Sequence, residues 1–274
     1  MSFDIVSILR TLCVLVVVAY AMAAAFMYVH QRNYQYLPGR QGLGASAVGL
    51  MGVEDLKLKA SDGETLQVWY AKAPPGRPTI LYLHGNGGEI ADRGERFATY
   101  QARGFGVFFL SYRGYGASTG SPSEAGLVRD ALAAYDWLTA QGVKPETIAL
   151  VGESLGSGIA VQLAAQRPVA VLALEAPFSA AVNIAATAYW WLPVRLLMKD
   201  QFKSGDFIGK VHVPLLVTHG DEDGVVPIEE GRALFAAANE PKQMIVVPGG
   251  THGSIFSPET WASEMMFFEQ HAGH

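Results

Sequence analysis

The stretch VGESLGSG, Val151–Gly158, decides the fold of this 274-residue chain. An apolar run typical of a buried strand, TIALV at Thr147–Val151, leads into it, and a helical pattern that ends before Pro168 follows it. A serine between two glycines at such a strand-to-helix turn is typical of a nucleophile elbow, because a side chain at either glycine would crowd the turn. Ser154 is therefore the candidate nucleophile.

The same Gly-x-Ser-x-Gly pattern occurs a second time, as GASTG at Gly116–Gly120. Its serine, Ser118, is not followed directly by a helix, since Ser121 and Pro122 place the next helix start only after the motif. A nucleophile elbow requires the serine to lie between a strand and a helix. We therefore interpret GASTG as a loop.

Short apolar runs alternate with helical patterns along most of the chain, and their continuous apolarity indicates strands covered on both faces. These runs are Thr79–Leu83, Gly106–Leu110, Thr147–Val151, Val169–Leu174, Val213–Thr218 and Gln243–Val247. The clearest helix, Pro122–Ala140, is predicted to follow an N-cap at Ser121. Val53–Ala60 and Thr65–Ala71 alternate apolar and polar residues, which predicts an antiparallel hairpin. The predicted fold class is α/β, with a mostly parallel, doubly wound sheet.

The first residues differ in composition from the rest of the chain. Thr11–Val29 holds 19 residues without a charge, and as a helix they would span about 28 Å, close to the hydrocarbon core of a bilayer. The sequence therefore predicts a single-pass membrane anchor over residues 1–32. A cleaved signal peptide, with small residues at Ala19, Ala21 and Ala23, and a buried soluble helix are the alternatives. Nearly balanced flanking charges leave the side of the membrane open.

The domain organisation follows from the same composition. Residues 33–52 are rich in glycine and small side chains, which predicts a linker. The globular domain is expected over residues 53–274, and an insertion at 178–210 is predicted to form a short helical cap. Trp190 and Trp191 in this insertion either pack it onto the core, line an apolar substrate pocket or touch the membrane. They are the candidate substrate-binding residues.

Composition and motif spacing exclude several functions. A net charge of -5 without a long basic run argues against a nucleic-acid partner. Cys13 is the only cysteine, so an internal disulfide framework and a cysteine-based metal cluster are excluded. The histidines lack metal-ligand spacing and the glycine-rich loops lack phosphate-binding motifs, so no metal or other cofactor is expected. The oligomeric state is not indicated.

A serine nucleophile needs a base and hydrogen-bond donors for the oxyanion that forms on the carbonyl. The backbone N–H of Leu155, at the predicted helix start, is one candidate donor. The N–H of Asn86 is the second, because the HGNGG loop at His84–Gly88 follows an early strand. His252 is the candidate base, since it lies in a glycine-rich loop after the last strand. The other histidines fall in the anchor region, at the chain end or beside strands.

A carboxylate must orient that base. The loop after the penultimate strand offers Asp221, Glu222 and Asp223. Glu175, at the end of an earlier strand, is a further candidate. The residues by themselves leave the choice among these carboxylates open.

In order along the chain, the motifs resemble those of the α/β-hydrolase superfamily, and more narrowly its small, N-terminally membrane-anchored, serine aminopeptidase-like and esterase-like members. The matching pieces are HGNGG (His84–Gly88), SYRGYGASTGSPSEAGL (Ser111–Leu127), GESLGSG (Gly152–Gly158), HGDEDGVVP (His219–Pro227) and GTHGS (Gly250–Ser254). The resemblance implies Asp223 as the triad acid, because the family's acid is the aspartate four residues after the histidine of HGxxDxxVP. It implies His252 as the base. Ser157 departs from the pattern, since relatives often carry glycine there.

The resemblance implies a serine hydrolase that cleaves carboxylic esters, or thioesters, of apolar acyl groups through an acyl-enzyme. The expected partners are a small or lipid-like acyl ester and, through the N-terminal helix, a membrane. A peptidase or amidase of the same fold is one alternative. A non-catalytic binding protein of that fold is another, and the complete triad argues against it.

Overall fold

The apolar runs form one mixed sheet in the computed structural model, which describes residues 4–272. The strands are β1 (Leu37–Pro38), β2 (Glu54–Lys59), β3 (Thr65–Ala71), β4 (Thr79–Leu83), β5 (Gly87–Gly88), β6 (Gly106–Ser111), β7 (Ile148–Glu153), β8 (Val171–Glu175), β9 (Leu215–Gly220) and β10 (Lys242–Val247). Eight of them form the sheet in the order β10-β9-β8-β7-β4-β6-β3-β2, and β1 pairs separately with β5. The next two strands of the large sheet lie on opposite sides of β4, with β6 on one side and β7 on the other. The end of β4 is therefore a topological switch point, and α/β sheets commonly bind ligands at such a point.

The pairing directions confirm the predicted fold class. β2 and β3 form the expected antiparallel hairpin, and β3 is also antiparallel to β6. Every other pair in the large sheet is parallel. The five central strands β4, β6, β7, β8 and β9 are buried along their whole length. This burial on both faces is the physical reason for their continuous apolarity.

Helices cover both faces of the sheet. They are α1 (Ile5–Gln35), α2 (Gly94–Ala102), α3 (Glu124–Ala140), α4 (Leu155–Ala164), α5 (Ala181–Ala188), α6 (Val194–Leu197), α7 (Gly205–Ile208), α8 (Ile228–Ala237) and α9 (Pro258–His271). One core contains Leu127, Ile159 and Leu234 from α3, α4 and α8. The second core, on the other face, contains Phe97 of α2 and Phe268 of α9.

Helix α3 begins two residues later than the sequence predicts. Its N-cap is Ser123, whose Oγ accepts a hydrogen bond from the N–H of Gly126 at 3.2 Å. The prediction of Ser121 as the cap is therefore wrong. The stretch offers two serines as caps, and the extended backbone at Ser123 leaves Pro122 before the helix.

Helix α1 is long and apolar enough to cross a membrane, and it extends beyond the predicted boundary at residue 32. None of its residues is buried. Its C-terminal half lies beside the insertion at Phe178–Lys210, which forms the predicted cap from the short helices α5, α6 and α7. The guanidinium of Arg32 binds both carboxylate oxygens of Asp200 in the cap, at 2.7 and 3.0 Å. The helix is therefore fastened to the cap.

Residues 33–52 differ from the expected linker, because they are hydrogen-bonded to the sheet domain. Beyond the pairing of β1 with β5, the N–H of Gly42 donates to the buried Glu89 carboxylate at 2.9 Å. The N–H of Ala45 donates to the carboxylate of Asp55 at 3.0 Å. The glycines that suggested flexibility form turns instead, as the positive φ of 63° at Gly42 shows. The packed domain thus begins near β1.

Candidate active site

Ser154 lies at the sharp turn between β7 and α4. Its φ of 49° and ψ of -112° fall in a region that residues with a side chain rarely adopt. The turn is held to the neighbouring strand, because the N–H of Ser154 donates to the carbonyl of Glu175 at 2.8 Å. A strained, well-anchored turn of this kind presents a serine Oγ at the carboxyl edge of the sheet.

The turn requires glycine at position 156, so Gly156→Ala is expected to be strongly destabilising. A Cβ there would overlap the main-chain carbonyl of Leu83 in the central strand β4, which has no room to move. We expect the free energy of unfolding, measured by urea denaturation, to fall by more than about 3 kcal/mol. Gly209→Ala is the control, because a Cβ at Gly209 meets open space. Equal stability of the two variants would show that the turn tolerates a side chain.

Three loops at the same edge of the sheet bring the predicted triad residues together. His252 Nε2 lies 3.0 Å from the Oγ of Ser154, and His252 Nδ1 lies 2.7 Å from Oδ2 of Asp223. The other oxygen of Asp223 accepts the N–H groups of Val225 and Val226, both at 2.8 Å. The aspartate is buried, so its carboxylate is held in one orientation towards the imidazole.

The competing residues have other contacts. Asp221 accepts the N–H of Gly249 at 2.6 Å and so fixes the loop that carries His252. Glu175 is buried against Arg96, with 2.5 Å between their closest atoms. Ser118 donates to the carbonyl of Ser111 at 2.7 Å and accepts the N–H of Gln67 at 2.8 Å. The hydrogen-bond partners of the His252 ring are Asp223 and Ser154, not any of these three side chains.

The two predicted oxyanion donors lie on the wall that also holds Ser154. The N–H of Leu155 is in the first turn of α4, where backbone donors have no acceptor within the helix. The Asn86 loop is held by its own side chain, whose Oδ1 accepts the hydroxyl of Tyr115 at 3.0 Å and the N–H of Leu37 at 3.3 Å. The end of β4 and the start of α4 thus face one space beside Ser154.

That space is a cavity of about 560 Å³ with a mainly apolar wall. Cap residues supply one apolar wall, with Phe178, Ile184, Ala188, Tyr189, Leu192, Val194 and Leu197. Helix α1 supplies a second wall, with Met27, Tyr28, Gln31, Tyr34 and Gln35. Ser154 and His252 line the end of the cavity at the sheet. A cavity of this size and character fits an apolar chain.

A sequence model of the α/β hydrolase fold matches residues 78–193. The α/β hydrolase domain-containing protein WAV2 of Arabidopsis thaliana is 31% identical over 293 residues, covering 94% of this chain and 92% of its own length. The chain belongs to the α/β-hydrolase family. The protein Rv2307c of Mycobacterium tuberculosis is 39% identical over 248 residues, covering 89% of this α/β hydrolase and 88% of the relative.

Among solved structures, the fold is similar to that of the Pyrococcus furiosus esterase Pf2001, with a TM-score of 0.71. The two chains share 18% identity, and the match covers 87% of this α/β hydrolase and 100% of the esterase chain. Within residues 4–272, no group of three or more His, Cys, Asp and Glu side chains is arranged to hold a metal ion.

In this α/β hydrolase, the structure does not place Trp190 and Trp191 on the cavity wall. Trp190 is 82% exposed. The carbonyl of Trp191 accepts the hydroxyl of Tyr20 in α1 at 3.1 Å, and the two rings meet edge to face. The assignment of this pair to substrate binding is corrected, because α5 ends at Ala188 and the following turn carries both indoles away from the cavity wall. Their neighbours Tyr189 and Leu192 line the cavity instead.

The sequence does not reveal that α1 contributes to the cavity of the α/β hydrolase. Composition indicates only a membrane segment. The available signal is the spacing of Gln31 and Gln35, polar residues four apart and therefore on one helix face. Gln31 accepts the N–H of Lys199 at 2.7 Å, and Gln35 donates to the carbonyl of Asp200 at 2.8 Å.

A buried ionic group supports the loop that carries Asn86. Glu153, directly before the nucleophile candidate, accepts the N–H of Gly85 at 3.2 Å and a guanidinium N–H of Arg93 at 2.8 Å. Arg93 also donates to the carbonyl of Gly87 at 2.8 Å. Burial acts to raise the pKa of Glu153, but the charges of Arg93 and Arg96 outweigh it and lower this pKa to about 2. Glu153 therefore stays ionised and ties the loop to the elbow.

We expect the buried His84 to make the free energy of unfolding sensitive to acid. Burial, with a smaller contribution from the charge of Arg93, lowers the pKa of His84 from 6.5 to about 3. The unfolded chain therefore takes up this proton first, so the stabilisation is complete above pH 6.5 and declines as the pH falls towards 3. We expect His84 to account for a loss of about 2 kcal/mol between pH 6.5 and pH 5.

Urea denaturation at several pH values measures this effect. His84→Gln should flatten the pH dependence of the free energy of unfolding over that interval. The exposed His212 provides the matched control, and His212→Gln should leave the slope unchanged. An unchanged slope in His84→Gln would show that other groups, such as His219, whose pKa burial also lowers, cause the acid sensitivity.

Proposed function

We propose that this chain is a membrane-anchored serine hydrolase that cleaves carboxylic esters of apolar acyl groups, with thioesters next in preference. The observation that supports this most strongly is the hydrogen-bonded series Ser154, His252 and Asp223 at the end of an apolar cavity. Such a series converts a poorly nucleophilic hydroxyl into a nucleophile. The cavity beside it suits the acyl part of the substrate.

In the proposed mechanism, the Oγ of Ser154 attacks the acyl carbonyl while His252 Nε2 takes the hydroxyl proton. Asp223 holds the imidazole and stabilises its positive charge. The N–H groups of Leu155 and Asn86 bind the oxyanion. His252 then gives the proton to the leaving oxygen, and the alcohol departs from the acyl-enzyme. Water, deprotonated by the same imidazole, hydrolyses the acyl-enzyme and restores Ser154.

The cavity wall suits an ester substrate better than a peptide substrate. Glu153 and Arg93 are charged residues on the cavity wall, and they pair with each other. This leaves the wall without a carboxylate free to bind the amino terminus of a peptide. The apolar side chains of the cap and α1 favour an acyl chain by burying its methylene groups, at about 0.8 kcal/mol each.

The proposed activity can be tested with the full chain in detergent or vesicles. A fluorophosphonate probe should label Ser154 covalently, as located by peptide mass spectrometry, and an ester panel should give turnover that rises with acyl length up to a medium chain. Matched thioesters and amides measure the preference for the leaving group. Absence of labelling would favour a non-catalytic binding protein, and preferential amide turnover would favour the peptidase alternative.

The anchoring role of α1 belongs to the same proposal. Its support is the long uncharged segment together with the contacts of Tyr20 and Arg32 with the cap, which a signal peptide cleaved near Ala23 would partly remove. In cell fractions, the chain should resist carbonate extraction and retain its N-terminal residues. Release by carbonate, or a mature N-terminus beyond residue 20, would contradict the anchor.

A further inference from the structure

The cap follows α1 for a considerable distance. The contacts begin at Tyr20, which reaches Trp191, and continue through Gln31 and Arg32 to Gln35. From Tyr20 to Gln35 the helix rises about 22 Å. The cap therefore covers one side of the C-terminal half of the helix.

The opposite side of the same half is apolar and uncovered. Met22, Phe26 and Val29 are all exposed and, at spacings of four and three residues, share one helix face. This face lies about 140° around the helix from the one formed by Met27, Gln31 and Tyr34, which line the cavity. Leu15 and Val18 continue the exposed stripe towards the N-terminus.

Lipid that covers this stripe must also surround part of the cap. The axial distance from Tyr20 to Val29 is about 14 Å, close to half the thickness of the hydrocarbon core. A bilayer that ended at the level of Tyr20 would leave Met22, Phe26 and Val29 in water. A bilayer that reaches Val29 places the contact between Tyr20 and Trp191 well inside the apolar layer.

The outer surface of the cap has the composition for that position. The cap tip, which we define as Trp190, Trp191 and Leu196, is exposed throughout, with Leu196 at 84%. Within Tyr189–Leu197 the one charged residue is Arg195, whose long side chain donates to the Oδ1 of Asn183 at 2.7 Å. Tryptophan and tyrosine are enriched where a protein meets the bilayer interface.

The cavity lies directly beneath this surface. Tyr189 and Leu192 line it from the cap and Tyr28 lines it from α1, while Trp190 and Trp191 lie on the outer side of the same turn. One turn of backbone therefore separates the cavity from the exposed cap tip. A second copy of this chain would cover one side of α1, whereas a lipid layer surrounds the stripe and the cap tip together.

We infer that the cap tip lies within the same membrane leaflet as the end of α1, so that an acyl chain passes from the lipid into the cavity between α1 and the cap without crossing water. The inference rests on the anchorage proposed above and names the substrate class as a lipid-resident acyl ester. The occupant of the exposed surface is a lipid bilayer.

The position of the cap tip can be measured in the full chain reconstituted in phosphatidylcholine vesicles. Lipids brominated on the acyl chain quench tryptophan fluorescence by contact. The chain has five tryptophans, and the variant with Trp190→Phe and Trp191→Phe removes the two at the cap tip. We expect the wild type to lose a clearly larger fraction of its fluorescence than this double variant.

A new tryptophan on a distant exposed apolar site provides the matched control. Met266 on α9 is 52% exposed, and Met266→Trp in the double-phenylalanine background should add fluorescence that brominated lipid does not quench. Equal quenching of wild type and double variant, in chains that float with the vesicles, would overturn the inference and leave the anchor intact. Failure to bind vesicles would overturn both. If a second copy of the chain covered the cap tip, brominated lipid would not quench its tryptophans and a cross-linked dimer would form. That result would also overturn the inference.

A kinetic experiment tests the entry route separately. Trp190→Glu and Leu196→Glu place a charge on the cap tip, outside the cavity wall. We expect hydrolysis of a long-chain ester embedded in vesicles to fall about tenfold, and hydrolysis of a water-soluble acetate ester to stay within about twofold. Met266→Glu should alter neither rate. An equal loss on both substrates would indicate a structural defect and overturn the route.

A chain that lacks fluorophosphonate labelling but shows cap-tip quenching would refute the proposed chemistry and retain the membrane position.

Discussion

Ser154→Ala is expected to lower kcat/KM for aryl ester hydrolysis by a factor on the order of 10⁵. Without Oγ no acyl-enzyme forms, and His252 Nε2 loses the hydroxyl that lies 3.0 Å away. Oxyanion binding by backbone donors would leave a residual rate above that in water. The measurement is a steady-state assay on full-length variants, with circular dichroism to establish that the fold is retained.

The chain contains its own control for this experiment, because Ser118 occupies the same five-residue pattern. Its hydroxyl bridges Ser111 and Gln67 in a turn and does not reach His252. Ser118→Ala should therefore keep hydrolysis within a few-fold of wild type and cost about 1 kcal/mol of stability through its lost hydrogen bonds. Residual activity in Ser154→Ala that matches the Ser118→Ala rate would eliminate Ser154 as the nucleophile.

The two serines also show what local sequence can predict. The strand and helix patterns on either side of Ser154 are local signals, and they select this serine over Ser118 because an elbow has a fixed local geometry. The hairpin and the buried parallel strands are predictable for the same reason, since burial on one or two faces leaves a period in the sequence. The predicted fold class is confirmed at this level.

Contacts between distant segments leave weaker signals. The hydrogen bonds that bind Gly42 and Ala45 to the domain involve backbone N–H groups, which every sequence contains, so composition suggested a linker. The outward direction of Trp190 depends on where α5 ends. The contribution of α1 to the cavity depends on the pairing of Arg32 with Asp200, residues far apart in sequence.

The acid of the triad is only partly predictable from the local sequence. The residues alone leave Asp221, Glu222 and Asp223 open, because a spacing of one or two residues in a loop does not determine a direction. Resemblance to the family selects Asp223. In the structure, the N–H groups of Val225 and Val226 turn the Asp223 carboxylate towards His252, while Asp221 turns to Gly249.

Asp223→Asn tests that assignment and is expected to lower kcat by about 10⁴ with little change in KM. The amide oxygen can still accept the N–H groups of Val225 and Val226, so the amide NH₂ group would face His252 Nδ1. An NH₂ donor there requires Nδ1 to accept, which moves the imidazole proton to Nε2, the atom that must take the proton of Ser154. The same full-chain ester assay provides the measurement.

Asp221→Asn is the matched control, two residues away in the same loop. Its amide oxygen can keep the hydrogen bond from the N–H of Gly249, so the loop that carries His252 stays in place. We expect the kcat of Asp221→Asn to remain within a few-fold of wild type, because the tautomer of His252 does not depend on the side chain of Asp221. A large loss in Asp221→Asn with normal activity in Asp223→Asn would transfer the role of the acid to Asp221. Comparable losses in both would mean that the position of the loop, and not the tautomer of His252, limits the reaction.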